Sequence, residues 1–257
     1  MKIDVTDSVD IKIRPSKQLI DDVLDVPLPF MNKCGVYVIA GSMGSGKSSF
    51  TNSIMTGTGK ARVFRGVFDE VHYVTPKEAF DSEALHPFRD HPIERIYGDL
   101  SPQTFAKIKL DCTTLAREEG TSGGNSCNSG TSCNSGTSCN SCLIIDDMSE
   151  FLKVRSIELA LKELIFKHRH YKLNIIITLL TLKSLPKSLR SLVDCFILFK
   201  PKSTIEIQSF ADDVFALGKD DLKSLFEFVF DEPYRFLFYN QRSNTYYKNF
   251  DKLQFSK

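Results

Sequence analysis

The stretch from Val36 to Phe50 constrains the fold of this chain more than any other. An apolar, largely β-branched run, Val36–Ala40, leads directly into the pattern G-x-x-x-x-G-K-S at residues 41–48, and a helical pattern follows at once. Strand, glycine-rich loop and helix N-terminus form the context that a phosphate-binding P-loop requires. The bare pattern alone would arise by chance in roughly one chain of this length in a hundred. With both flanks in place, the stretch predicts nucleotide binding rather than a glycine turn beside an unrelated lysine.

The residue types in this loop explain how a nucleotide would be held. Three glycines can adopt backbone angles closed to other residues, so that amide N–H groups approach phosphate oxygens. Lys47 would add positive charge at the β- and γ-phosphates of ATP, and the Ser48 hydroxyl would bind Mg²⁺ at the positive end of the helix dipole. The predicted nucleotide-binding residues form one continuous run: Gly41, Ser42, Met43, Gly44, Ser45, Gly46, Lys47, Ser48 and Ser49.

Composition and charge exclude several classes of protein. The 257 residues are 42% hydrophobic and 25% charged, which is ordinary for a globular protein with a sizeable core. A net charge of +1 gives no overall attraction to nucleic acid, so any DNA contact must come from a local patch. No signal-peptide pattern is present, and the longest apolar runs, such as 175–180, are far too short to span a membrane. We therefore expect no membrane span and a reducing, cytosolic compartment.

Downstream of the P-loop, apolar strand patterns alternate with helical ones. Strands are predicted at 68–75, 95–98, 143–145, 174–180 and 193–199, helices at 102–119, 150–171 and 219–230, and a terminal hairpin at 235–239 and 245–248. Continuously apolar strands that alternate with helices predict an α/β fold whose mostly parallel sheet is covered on both faces. We expect a P-loop NTPase of the ASCE (RecA-like) type with a C-terminal β-hairpin.

The chain divides into an arm and one large domain. We assign residues 1–30 to an N-terminal arm, with a short strand or hairpin at 3–14 and a helix broken by prolines at 21–30. Residues 31–257 would form the P-loop ATPase domain, interrupted by a low-complexity insertion at 120–142.

The insertion is a tandem repeat of the hexapeptide Ser-Cys-Asn-Ser-Gly-Thr. So small and polar a run buries too little apolar surface to offset the entropy lost on ordering it, and we predict a flexible surface insertion. Cys139 and Cys142 have the spacing of a zinc-binding pair. However, no second pair and no nearby histidine accompany them, and the six-residue cysteine spacing is the period of the repeat.

Two adjacent carboxylates end the strand at 143–145. A P-loop enzyme needs a carboxylate from a neighbouring strand to hold Mg²⁺, and Asp146 is placed for that role. Asp147 would orient or deprotonate the attacking water, with Glu150 as the alternative. The competing interpretation is that both aspartates cap a helix that begins near Ser149.

Phosphoryl transfer also needs a positive charge against the transition state, often from a neighbouring subunit. Arg169, in the basic cluster at 167–172, is the first candidate, although cations are favoured at the C-terminus of a helix in any case. Arg190, after the strand at 174–180, is the second.

These motifs together resemble those of the DNA-packaging ATPases of large DNA viruses and virophages, the poxvirus-type branch of the FtsK/HerA superfamily. The resemblance covers about residues 30–250 and rests on the P-loop and on four further motifs: Ile-Ile-Asp146-Asp147-Met-Ser-Glu150, His-Arg169-His, Leu-Pro-Lys-Ser-Leu-Arg190, and Phe-Ile-Leu-Phe-Lys-Pro at 196–201. It implies an ATP-driven, homo-oligomeric ring that moves double-stranded DNA into a preformed capsid. A capsid or portal-vertex protein would be the partner, and the host cytoplasm (the viral factory) or the virion the location.

The chain departs from this family at two places. Leu179-Leu180 stand where the family usually carries a polar sensor of the γ-phosphate, commonly glutamine, so Thr178 or Thr181 would have to substitute. The repeat at 120–142 is the second departure. Its length is tolerable because doubling a loop costs only about 0.6 kcal/mol of closure entropy.

DNA contact would come from basic residues that follow the strand at 174–180: Lys183, Lys187, Arg190, Lys200 and Lys202. This strip suits contacts to DNA phosphates rather than to bases, and a solvated basic face is the alternative. Two other functions remain open: a HerA-like helicase or translocase in DNA transfer or repair, and a non-hydrolysing nucleotide-binding assembly or scaffold protein.

Overall fold

A computed structural model of the chain describes residues 23–59, 62–82, 88–121, 140–202, 214–215 and 217–255. The strand or hairpin predicted at 3–14 and most of the predicted insertion lie outside these residues. In the described part of the arm, residues 23–30 form no helix, contrary to the prediction. Instead the Phe30 ring is buried, with its centroid 5.2 Å from that of Phe64 and 5.3 Å from that of Phe238.

The described residues form nine strands: β1 Val36–Ala40, β2 Glu70–Val74, β3 Ile96–Tyr97, β4 Ser141–Ile145, β5 Leu173–Leu179, β6 Cys195–Phe199, β7 Phe236–Asn240, β8 Thr245–Lys248 and β9 Asp251–Lys252. Their α-helices are α1 Lys47–Thr56, α2 Lys77–Ser82, α3 Pro102–Thr121, α4 Arg155–Lys167, α5 Lys187–Arg190 and α6 Lys219–Val229. Single 3₁₀ turns span Ile93–Arg95, Phe151–Lys153 and Leu182–Ser184.

All nine strands join one sheet in the order β3-β2-β4-β5-β1-β6-β7-β8-β9. The first six in this order pair in parallel, and β7, β8 and β9 add antiparallel strands at the C-terminal end of the chain. The strand before the P-loop is central, since Val38 lies between Ile177 of β5 and Phe196 of β6. The predicted α/β fold with a mostly parallel sheet and a terminal hairpin is therefore confirmed.

Each face of the sheet carries its own hydrophobic core. Because side chains alternate along a strand, Val36 and Val38 point to one face while Tyr37 and Ile39 point to the other. The first face is covered by α3, α4 and α6, and the second by α1 together with the arm. Burial on both faces explains why the central strands are apolar at nearly every position.

The boundaries of several elements differ from the sequence prediction. The helix predicted at 150–171 begins only at Arg155, because Val154 has an extended backbone with φ −72° and ψ 122°. Strand β4 begins at Ser141, so Ser141 and Cys142, which the sequence prediction assigned to the insertion, are buried in the sheet.

Among the described residues no cluster of three or more His, Cys, Asp or Glu side chains is arranged to hold a metal ion.

The described residues contain no helix with the length and apolar character needed to cross a membrane.

A buried histidine on β2 makes stability depend on pH. His72 is fully buried, and its Nδ1 atom lies 3.2 Å from the Tyr97 hydroxyl. Burial, reinforced by the charges of Arg95, His91 and Lys107, lowers the pKa of His72 from 6.5 to about 4. The unfolded chain binds this proton at a higher pH than the folded chain does. The neutral ring therefore contributes stability above pH 6.5, and this contribution is lost as the pH falls from 6.5 toward 4.

We expect His72 to account for about 2 kcal/mol of the stability lost between roughly pH 7.5 and pH 5. Urea unfolding of the wild type and of His72→Gln at both pH values would measure this. Because each variant is compared with its own value near neutrality, any general destabilisation cancels. His170→Gln, at an exposed histidine, is the matched control and should keep the wild-type pH dependence. An undiminished pH dependence in His72→Gln would contradict the assignment.

Candidate functional site

The glycine-rich loop between β1 and α1 has the backbone geometry of an anion cradle. Gly44 and Gly46 have φ values of 74° and 105°, in the region that favours glycine, and Gly46 is the N-cap of α1. Gly41 is needed for a different reason: a Cβ atom there would lie 2.6 Å from Ser45 Oγ and 2.7 Å from Phe199 Cβ. The Ser45 hydroxyl is buried and lacks a hydrogen-bond partner among the described residues. This loop thus fits a bound phosphate.

Lys47 folds back over the loop that precedes it. Its Nζ donates to the carbonyl oxygens of Gly41 at 2.7 Å and Ser42 at 3.1 Å. Half-burial lowers the pKa of Lys47, while the negative charges of Asp147 and Asp146 act to raise it. The ammonium group therefore sits between the phosphate loop and the two carboxylates.

The other predicted nucleotide-binding residues lie in the loop itself or in the first turn of α1. Ser48 and Ser49 are exposed in the first turn of α1, with their backbone N–H groups at the helix N-terminus. Met43 is 82% exposed at the loop tip, whereas Ser42 is partly buried.

Asp146 is held by two side chains from neighbouring strands. The Tyr73 hydroxyl of β2 donates to Asp146 Oδ2 at 2.7 Å, and the Thr178 hydroxyl of β5 donates to Asp146 Oδ1. These contacts fix the carboxylate at the C-terminal edge of the sheet, beside the P-loop. Tyr73 is positioned in turn by Phe88, whose ring is stacked on it at 4.9 Å. A carboxylate oriented by such partners is suited to a metal ion.

Asp147 adopts the left-handed conformation, with φ 55°, and its backbone N–H donates to Thr178 Oγ1 at 3.1 Å. Partial burial and the neighbouring charge of Asp146 raise the pKa of Asp147, while Lys47 lowers it. A non-glycine residue in this conformation is uncommon and is often associated with function.

One cavity of about 180 Å³ brings these groups together. Its walls include Gly44, Lys47, Ser48, Tyr73, Asp146, Asp147, Thr178 and Leu180. Groups of the glycine-rich loop and paired carboxylates thus face one space, which is the arrangement that hydrolysis of a nucleoside triphosphate needs.

Glu150 is exposed and is not among the residues that line this cavity. The interpretation of Asp146 and Asp147 as helix caps is not supported either, since α4 starts eight residues after Asp147 and its N-cap is Val154.

The two candidate arginines have different surroundings. Arg190 is buried, and its guanidinium donates to the carbonyl oxygens of Leu185 at 3.0 Å and Leu182 at 3.3 Å. Arg169 is exposed in the turn between α4 and β5. Because β5 runs parallel to β1, Arg169 lies at the edge of the sheet opposite to the P-loop.

The basic strip is only partly exposed. Lys183, Lys187, Lys200 and Lys202 are exposed, whereas Arg190 is buried and does not belong to the exposed strip. Lys183 follows the C-terminal end of β5, Lys200 and Lys202 follow that of β6, and Lys187 lies on α5.

Of the two threonines named as substitute sensors, Thr178 lies in the site. Thr181 Oγ1 instead lies 3.2 Å from Ser184 Oγ, in the turn that follows β5.

The sequence did not predict that Thr178 contacts both aspartates or that Tyr73 donates a hydrogen bond to Asp146. The register of β2, β4 and β5 creates these contacts, and the only sequence signal was a polar side chain near the end of each apolar strand.

We expect Thr178→Val to lower kcat for ATP hydrolysis by about 10- to 100-fold, because Asp146 and the Asp147 backbone lose their shared partner. The Mg²⁺ concentration for half-maximal activity should rise, which a purely structural change would not cause. Thr178→Ser keeps the hydroxyl and should restore most activity. Equal activity of the valine variant and the wild type would show that the bridge is dispensable.

Solved structures share this fold. The genome packaging NTPase B204 from Sulfolobus turreted icosahedral virus 2, in complex with sulfate, superposes with a TM-score of 0.60 at 17% identity, over 88% of this chain and 100% of B204. The DNA-packaging ATPase B204 from Sulfolobus turreted icosahedral virus gives 0.59 at 17% identity, over 84% and 97% of the two chains. EssC (ATPases 2 and 3) from Geobacillus thermodenitrificans gives 0.52 at 13% identity, over 85% of this chain and 39% of EssC.

B204 has also been solved with ATP-gammaS and with AMPPCP. No protein-family model matches the chain, and no curated protein matches it. The resemblance recognised from the sequence motifs is thus matched by structural neighbours that include a viral genome-packaging NTPase.

Proposed function

We propose that this chain is an Mg²⁺-dependent ATPase of the FtsK/HerA superfamily that drives double-stranded DNA into a preformed viral capsid. The observation that carries the proposal is the convergence of Lys47, Asp146 and Asp147 on one cavity at the end of a P-loop. The fold shared with B204, over the whole of that protein, supports the packaging role, although the ATPase EssC has the same fold.

The residues of the cavity would divide the chemistry among them. Backbone N–H groups of the loop and Lys47 would bind the phosphates, while the Ser48 hydroxyl and the Asp146 carboxylate would hold Mg²⁺. When bound, the ion neutralises charge on the phosphate oxygens. Asp147 accepts a hydrogen bond from the attacking water and takes its proton, and Glu150 is the alternative base.

A ring of identical subunits would complete the site. Arg169 lies at the opposite edge of the sheet from its own P-loop, so it can serve only the nucleotide of a neighbouring chain. A head-to-tail ring places unlike surfaces of adjacent subunits against each other and so permits such a contribution. We assign the arginine finger to Arg169 rather than to the buried Arg190.

The exposed lysines near the C-terminal edge would contact DNA phosphates, giving binding that depends on salt but not on sequence. Double-stranded DNA and a capsid or portal-vertex protein are the proposed partners, and the host cytoplasm or the virion is the proposed location.

ATP hydrolysis measured with and without linear double-stranded DNA tests this function. We expect stimulation by DNA of any sequence, together with ATP-dependent displacement of a third strand annealed to the duplex. Lys183→Glu/Lys202→Glu should weaken DNA binding and reduce its salt slope by roughly one per lysine. Lys223→Glu, at an exposed lysine on α6, is the matched control. Nucleotide binding without turnover would instead support a scaffold protein.

A further inference from the structure

A second, larger cavity adjoins the P-loop on the side away from the carboxylates. Its volume is about 550 Å³, and Gly46, Ser49 and Ser53 of the P-loop and α1 form one wall. In the sheet, β5 and then β4 lie on one side of β1 and lead to Asp146, whereas β6 and β7 lie on the other. The cavity is on the β6 and β7 side, because Phe199 and Phe236 line it.

Aromatic rings make up most of the remaining walls. Phe236 packs against Phe50 of α1 at 4.9 Å and against Phe250 at 5.3 Å between ring centroids. The Phe199 ring comes within 3.4 Å of the position that a Cβ on Gly46 would take, and the Tyr234 ring within 3.6 Å. Planar apolar surfaces therefore begin directly at the end of the phosphate loop.

Tyr234 is unusual within this wall. It lies between α6 and β7, is 73% exposed, and has a φ of 62°, which is strained for a bulky residue. A large exposed ring held in a costly conformation against the P-loop is better explained by a ligand than by packing, since folding gains little from an exposed ring.

We propose that this aromatic cavity holds the base and ribose of the nucleoside triphosphate, with Tyr234 stacking on the base. This inference rests on the proposed nucleotide binding and specifies it further. A triphosphate whose terminal phosphate lies at Lys47, Asp146 and Asp147 leaves its nucleoside end beside Gly46 and Ser49. The aromatic cavity is the space that adjoins those two residues.

The cavity selects by stacking area rather than by hydrogen bonds to the edge of the base. Among the described side chains that line it, the hydroxyl groups are those of Ser49, Ser53 and Tyr234. Ser53 already donates its hydroxyl to the Ser49 carbonyl oxygen at 2.7 Å. Purines stack over a larger area than pyrimidines, so ATP and GTP bind with affinities within a few-fold of each other, and CTP binds more weakly.

Equilibrium binding of the β,γ-methylene analogues of ATP, GTP and CTP, beside inorganic tripolyphosphate, tests the assignment. We expect Tyr234→Ala to weaken binding of the ATP and GTP analogues by about tenfold and to leave tripolyphosphate binding unchanged. Tyr234→Phe keeps the ring and the wild-type affinity. Phe166→Ala, at another exposed aromatic residue, on α4, changes neither affinity.

A variant that fills the cavity gives an independent result. Ser53→Trp places a large ring on the α1 wall and should weaken binding of the ATP analogue while tripolyphosphate still binds. The proposal is overturned if both variants bind the ATP analogue as the wild type does, or if the ATP analogue binds at least tenfold more tightly than the GTP analogue. Failure of the wild type to bind tripolyphosphate would instead count against the P-loop assignment itself.

Discussion

Replacing Lys47 by alanine should weaken ATP binding by roughly 100-fold, which corresponds to the loss of one charged partner of a partly buried phosphate. The Lys47 ammonium already lies within the loop, where it donates to the carbonyls of Gly41 and Ser42. A bound triphosphate would gain this charge with little further ordering of the side chain. Isothermal titration calorimetry with an ATP analogue and Mg²⁺ would measure the effect.

Lys223→Ala is the matched control for this variant, because Lys223 is an exposed lysine of α6 that lies outside the cavity. The variant loses two hydrogen bonds within the loop, so its melting temperature without nucleotide should fall by only a few degrees. A folded Lys47→Ala protein that binds the ATP analogue with wild-type affinity would refute nucleotide binding at this loop.

Asp147→Asn should reduce kcat for ATP hydrolysis by about 100- to 10,000-fold while ATP still binds, because asparagine cannot accept the proton of the attacking water. The substitution keeps the size of the side chain and leaves the backbone N–H that donates to Thr178 in place. It also removes a negative charge near the phosphates, so affinity for ATP should be equal to or higher than that of the wild type. Single-turnover hydrolysis separates this defect from slow product release.

Glu150→Gln distinguishes the two candidate bases. Glu150 does not line the cavity, so this variant should retain most of the wild-type turnover. If Glu150→Gln lost more activity than Asp147→Asn, the roles proposed for the two carboxylates would have to be exchanged.

Most of the fold could be predicted because the strands of the core are apolar in the sequence and buried in the structure. The strands at 36–40 and 195–199 are apolar at every position, and a strand can be so only when both faces are buried. The terminal hairpin and helix α6 were likewise evident from their periodicity. Local pattern failed where the tertiary environment overrode it: Cys142 belongs by composition to the repeat, but pairing with Val71 of β2 places it in the sheet.

The candidate site was predictable in part. The phosphate loop is a contiguous motif, and its function depends on backbone geometry that glycine spacing encodes. The partners of Asp146 are distant in the chain, since Tyr73 and Thr178 reach it from β2 and β5. The environment of Arg190 could not be predicted either. In the sequence it stands among lysines that are exposed, but its own side chain is buried, and its guanidinium donates to carbonyl groups of the preceding turn.

The amino-acid sequence by itself determined the P-loop, the alternation of apolar strands with helices, and the pair of carboxylates at the end of β4. These features depend on residue type and short-range spacing, which the chain carries locally. Only the tertiary structure decided which side chains orient Asp146, which arginine is accessible, and that an aromatic cavity adjoins Gly46. Those features depend on strand order and register, which bring together residues that are far apart in the chain.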